Sequence, residues 1–159
     1  MLNKEDAPNV HIFTTMFYKA MHREQRASFE KNPDLSAPQK RHMRVKRWTK
    51  NVDLFSKDMI IIPICEHSHW YLVIVIKPGL IVNAPDSEAR RLKGEPFFIV
   101  LDRFSISKLD LPPMLGKPLV FIIGSLGESK TTAVNNVRSY LEHEWEAKVS
   151  LFIFSLFKT

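Results

Sequence analysis

Two apolar runs of strand length dominate the hydrophobic pattern: MIIIPI, starting at Met59, and YLVIVI, ending at Ile76, joined by the polar stretch Cys65-Glu66-His67-Ser68-His69 and Trp70. Both runs are rich in β-branched residues and neither alternates with polar ones, so they are expected to be strands buried on both faces at the centre of a sheet. LVFII at 119–123 reads as a third strand, and Phe97 to Leu101 as a short one ending at Asp102. Helical periodicity appears in three places. Asn9 can cap a helix over about 10–28 whose stripe is Ile12, Phe13, Met16, Phe17, Ala20 and Met21. Ser36 and Pro38 open a second, basic helix with Val45 and Trp48 as its buried contacts. Ser129 caps a third over about 130–148, with Val134, Val137, Leu141 and Trp145 on one side. Strands side by side with helices packed against them make an α+β architecture, a central mixed sheet flanked by helices.

The remaining pattern is irregular. Val82 to Glu95 is polar, and NAPDSEARRLKGEP at 83–96 holds two prolines, the composition of an exposed loop. The tail, VSLFIFSLFKT, is apolar except at its end, so it requires cover: an added strand on the sheet edge, or another chain docked on side chains such as Phe152 and Phe154.

Composition narrows the class. The 159 residues fit one domain, 1–159, with 45% hydrophobic and 25% charged residues. Cys65 is the single cysteine, which excludes an internal disulfide or a four-thiolate metal site and points to a reducing compartment, nucleus or cytoplasm. No apolar run approaches the roughly 18 residues of a membrane span, and the polar opening MLNKEDAPN lacks the apolar core of a signal peptide. A glycine-rich phosphate loop, HExxH and CxxC are all missing, so no cofactor and no metal are expected. The net charge of +6 is concentrated: Lys19 to Lys50 holds ten Lys/Arg against Glu24, Glu30 and Asp34. That region, with Arg44, Lys46 and Arg47 at its centre, suits an acidic partner, either a protein face or nucleic acid.

Candidate chemistry sits between the two central runs. His69 at the end of a rigid sheet, followed at once by Trp70, sets a titratable imidazole beside a flat apolar wall, as acyl-transfer and peptide-binding clefts require.

Taken together, VHIFTTMFYKAM, RHMRVKRWTKNVDLFSKDMIIIPICEHSHWYLVIVIKPGL, KPLVFIIGSL and NNVRSYLEHEWEAK resemble the catalytic domain of the sentrin-specific (SUMO) proteases, the Ulp-type cysteine peptidases. The likeness is strongest to the branch that processes SUMO chains and carries insertions in this domain; residues 80–116 would be such an insertion. The resemblance implies a papain-related α+β fold and a Cys–His–Asp triad, in which a thiolate attacks the Gly-X carbonyl, the His takes the thiol proton and the Asp orients the imidazole. It places His69 on the general base and Trp70 on the indole that closes over the substrate's Gly-Gly tail. The triad Asp belongs to a block written as a hydrophobic strand ending in Asp-Ser-Leu, and here that block is LVFII followed by Gly124-Ser125-Leu126. Asp102, ending FFIVL, is a rival acid with poorer neighbours. In the family the oxyanion Gln and the Asp-Cys-Gly nucleophile follow the YLEHEW helix, which places them past Thr159, and Cys65 stands on the wrong element to replace them. The expected outcome is a catalytically inactive relative that keeps a protein-binding surface, for SUMO or a SUMO-pathway protein. A peptidase completed by a Cys-bearing second chain and a basic nucleic-acid-associated module are the competing readings.

Overall fold

The computed structural model describes residues 8–81, 99–101, 119–124 and 131–156. The chain divides into two compact units: Met1–Tyr18 with Asp53–Lys130, and Lys19–Val52 with Thr131–Thr159.

The first unit is built on a five-stranded mixed sheet in the order β1-β2-β3-β5-β4. The strands are β1 (Val10–Ile12), β2 (Met59–Glu66), β3 (His69–Ile76), β4 (Ile99–Leu101) and β5 (Leu119–Gly124). β2, β3 and β5 run antiparallel to their neighbours in that trio, and the short outer strands β1 and β4 pair in parallel with β2 and β5. The three strands expected side by side are therefore adjacent. Burial, however, alternates: Ile60, Ile62, Ile64, Tyr71, Val73, Val75 and Val120 form the buried face, while Ile61, Pro63, Leu72 and Ile74 on the other face are half-buried. The uninterrupted apolar sequence reflects partial cover on the second face rather than complete burial on both.

The segment expected as one helix from 10 to 28 is a strand and a short helix. Backbone pairing of Val10 with Met59 and Ile12 with Ile61 extends the first three residues, and α1 begins only at Met16 and ends at His22. Asn9 caps no helix: its amide donates to the Asp58 carboxylate at 2.9 Å and its carbonyl accepts from the Asp58 amide at 2.9 Å. Of the proposed stripe, Phe13, Phe17 and Met21 are buried, whereas Ile12 and Met16 are exposed. Sheet pairing at a distant point of the chain thus overrides a helical spacing that is good over only half its length.

Two positions hold the ends of β3. The β2–β3 hairpin turns on His67 and Ser68 alone, at φ 50° and 64°, the positive pair that a two-residue primed turn demands. After β3 the chain enters a 3-10 turn, Pro78–Ile81, in which a Cβ on Gly79 would lie 2.3 Å from the Phe55 carbonyl oxygen, so only glycine fits.

The second unit is helical. α2 (Ala37–Val45) starts as anticipated, with Ser36 and Gln39 in a reciprocal capping box and Pro38 in the first turn. Its Val45 is fully buried, but Trp48, in the turn that follows, is 42% exposed and does not serve as a core anchor. α3 runs from Thr131 to Leu156 without a break, so the apolar tail continues a helix instead of adding a strand to a sheet edge. Among its described side chains the buried ones are Ala133, Val134, Val137, Tyr140, Leu141 and Glu144; Trp145, expected on that stripe, is half-buried. Glu144 occupies the place because its carboxylate is fully engaged: His42 Nε2 donates to it at 2.8 Å and Thr49 Oγ1 at 2.7 Å. Lys148 donates to the carbonyls of Thr49 and Val52 at 3.1 and 2.8 Å and closes the turn after α2. The expected exposed loop at 82–95 lies outside the described residues, as does most of the proposed insertion.

Candidate functional site

β-pairing arranges the hairpin tip. Glu66 faces His69 and Cys65 faces Trp70, so the alternation of side chains puts Glu66, His69 and Tyr71 on the buried face of the sheet and Cys65 and Trp70 on the other. His69, at the rim, is exposed, and Tyr71 two residues on is buried. The Tyr71 hydroxyl donates to the Glu66 carboxylate. Burial, reinforced by that carboxylate, pushes the phenol well above its ordinary range, so Tyr71 remains a donor throughout the neutral range. Among the described residues no side-chain hydrogen bond or ion pair reaches the His69 imidazole.

The neighbouring strand shows why. Gly124 pairs with Tyr71, which places it diagonally across from His69 on the same face, a separation of about 7 to 8 Å that an aspartate side chain would shorten. Glycine supplies nothing there. β4 offers no closer substitute: its last residue, Leu101, pairs with Phe121, three residues or about 10 Å back along β5, and Asp102 itself lies outside the described residues. The acid that does face the imidazole is Glu66, which the sequence reading passed over. Taking His67-Ser68 as a two-residue loop would have found it, because the flanking residues of such a loop are paired by construction.

Cys65 is exposed, yet it stands beside Trp70 and on the face opposite His69. A thiol there cannot be deprotonated by that imidazole, for which hydrogen-bond reach of about 3 Å is required. On Cys65's face, Trp70 is 57% exposed and Ile123, paired with Leu72, is 54% exposed. With Pro63 and Leu72 they make an apolar shelf that continues to the tip of the hairpin.

The basic candidates lie in the helical unit. Arg44 is committed: its Nε and Nη2 grip the Glu30 carboxylate at 2.7 Å each, and its Nη1 donates to the Met21 carbonyl at 3.0 Å. Lys46 and Arg47 are exposed. The side chains of Phe152 and Phe154 lie outside those described, on the last turns of α3. Among the described residues no three His, Cys, Asp or Glu side chains converge as a metal site, and no helix is long and apolar enough to cross a membrane.

This geometry meets its relatives in known proteins. Over 164 residues the chain is 34% identical to sentrin-specific protease 7 of Homo sapiens, covering 87% of this chain and 16% of that protein. It is 49% identical over 79 residues to sentrin-specific protease 6 of Mus musculus, covering 50% of this chain and 7% of the relative. The chain thus spans a small part of the length of the curated relatives it matches. A solved structure described as a de-sumoylating protease aligns over 84% of this chain and 35% of its own, at TM-score 0.48 and 20% identity. The profile of the Ulp1 protease family, C-terminal catalytic domain, matches residues 1–156, and the α+β chain described here belongs to that family.

Proposed function

We propose that this chain is a catalytically inert member of its family that acts as a protein-interaction module, receiving the extended tail of a SUMO-type modifier on the apolar shelf beside Trp70, in the nucleus or cytoplasm. The observation that supports the reading is Gly124 opposite Tyr71 and diagonally across from His69, at the position that likeness to the family's Asp-Ser-Leu block gives to its acid. The acid that faces His69, Glu66, is engaged by the Tyr71 hydroxyl, so no side-chain hydrogen bond among the described residues fixes the imidazole tautomer. The one thiol, Cys65, is on the other face of the hairpin. Loss of the triad acid alone costs about 3 × 10⁴ in rate in a serine-protease triad. Binding does not depend on those groups. Trp70 and Ile123 present the apolar surface that an extended Gly-Gly tail can lie against, and similarity to sentrin-specific proteases supports a modifier of the sentrin (SUMO) class.

The competing reading, a peptidase completed by a second chain that brings the thiol, keeps His69 in use. Turnover of a SUMO–fluorophore substrate separates the two. Purified chain should match buffer; hydrolysis above buffer that disappears in His69→Ala would establish an active enzyme. Retention on immobilised SUMO, weakened by Trp70→Ala, is the expected positive result.

A further inference from the structure

The helical unit carries a groove that neither the modifier tail nor the triad positions involve. It encloses about 640 Å³ between the segment following α1 and the start of the turn after α2, with Arg23, Gln25, Arg26, Arg44 and Trp48 in its walls. Its shape is held from within. The Gln25 amide donates to the Glu30 carboxylate at 3.1 Å, and its side-chain nitrogen donates to the Arg44 carbonyl at 3.0 Å. Arg44 in turn is clamped to Glu30 by both prongs of its guanidinium. This fork holds the Glu30 carboxyl below its usual range although burial pushes it the other way, so the acid is ionised and already matched.

What remains for a ligand is cationic and aromatic. Arg23 and Arg26 are exposed, and Glu24 is the one further acid in the walls. Trp48 leaves 42% of its surface open beside them. Arginine and tryptophan on a prebuilt wall are the residue types that dominate the energy of protein–protein contacts, the guanidinium taking a carboxylate in a two-point hydrogen bond and the indole taking an apolar side chain. A single indole in one short cleft does not make the run of stacking platforms along a basic track that single-stranded nucleic acid uses.

We infer that this groove binds a short acidic peptide segment of a partner protein, with carboxylates on Arg23 and Arg26 flanking an apolar residue on Trp48. The groove lies in the helical unit and the hairpin in the sheet unit.

The test is fluorescence anisotropy with the whole chain and a fluorescein-labelled peptide of about twelve residues, Asp/Glu-rich around a central Leu-Phe. The same peptide with Asn/Gln for Asp/Glu and a labelled oligo-dT of similar length are the other arms. The acidic peptide should bind, and binding should weaken with added salt. Arg23→Glu/Arg26→Glu should lower affinity about tenfold or more, and Trp48→Ala about fivefold, with Lys31→Glu, an exposed cation outside the groove, changing it less than about twofold. Arg23 and Arg26 are exposed, so that double variant should keep the parent's circular dichroism and thermal transition. The inference fails if the acidic peptide does not bind, if the amide peptide binds equally, if oligo-dT binds more tightly, or if Lys31→Glu costs as much as the double variant.

Discussion

Two histidines separate the two units of this chain. The His69 imidazole stands exposed at the rim of the sheet with no side-chain hydrogen bond among the described residues and with Gly124 diagonally across from it. His42, in the helical unit, is buried, donates to Glu144 at 2.8 Å and packs its ring 5.7 Å from that of Tyr140. Glu144 accepts from Thr49 as well, and the Tyr140 hydroxyl donates to Thr49 at 3.1 Å. The imidazole at the rim thus makes no side-chain hydrogen bond to a carboxylate among the described residues, while the buried one in the helical unit does. A buried pair must be satisfied or it costs several kcal/mol, whereas an exposed imidazole tolerates the loss of its partner because water replaces it.

The contrast is broken most directly by removing the acid. Glu144→Ala strips the acceptor from His42 and Thr49 in a site that water does not reach, and should cost about 3–5 kcal/mol in chemical denaturation. His69→Ala, by contrast, should stay within about 0.5 kcal/mol of the parent. If the two losses were equal, the distinction between a buried, structural histidine and an exposed one would fail.

The same pair sets an acid limit. Burial raises the Glu144 carboxyl, but the donors His42 and Thr49 and the charges of His42 and Lys148 outweigh it, leaving it below its ordinary 4.5. A depressed folded value means that the contribution is whole above 4.5 and is lost as pH falls through the lower folded value. Urea midpoints should therefore decline below that point in the parent, and Glu144→Gln should remove this part of the slope.

The sheet unit is sensitive elsewhere than at its histidine. Gly79→Ala forces a Cβ against the Phe55 carbonyl, which is backbone and cannot swing aside, and should lower the denaturation midpoint by the equivalent of about 1–3 kcal/mol. Replacing the turn pair by Asn-Gly (His67→Asn, Ser68→Gly) should act in the opposite direction by about 1 kcal/mol, because His67 and Ser68 hold the left-handed conformation that those residues adopt at little cost. The smallest effect is expected from the change that looks most like a repair. Gly124→Asp sets a carboxylate diagonally across from His69, yet turnover of a SUMO–fluorophore substrate should stay at the buffer rate, since no thiol shares that face.

Local chemistry and apolar pattern were enough to locate β2, β3 and β5, the α2 cap at Ser36 and the family of the chain, because those features depend on short runs of β-branched residues and on motif spacing. Contacts made at a distance in the chain decided the rest. Val10 to Ile12 left the helix that their spacing favoured because Met59 to Ile61 offered a strand to pair with, and Asn9 turned from cap to tether because Asp58 stood opposite. Trp48 and Trp145 read as core residues in one dimension, but Glu144 took the buried place, since three-dimensional neighbours from α2 and the turn after it satisfy its carboxylate. The facing of Glu66 and His69, and of Cys65 and Trp70, needs the turn to be two residues long, and only backbone hydrogen bonding across the hairpin sets that register.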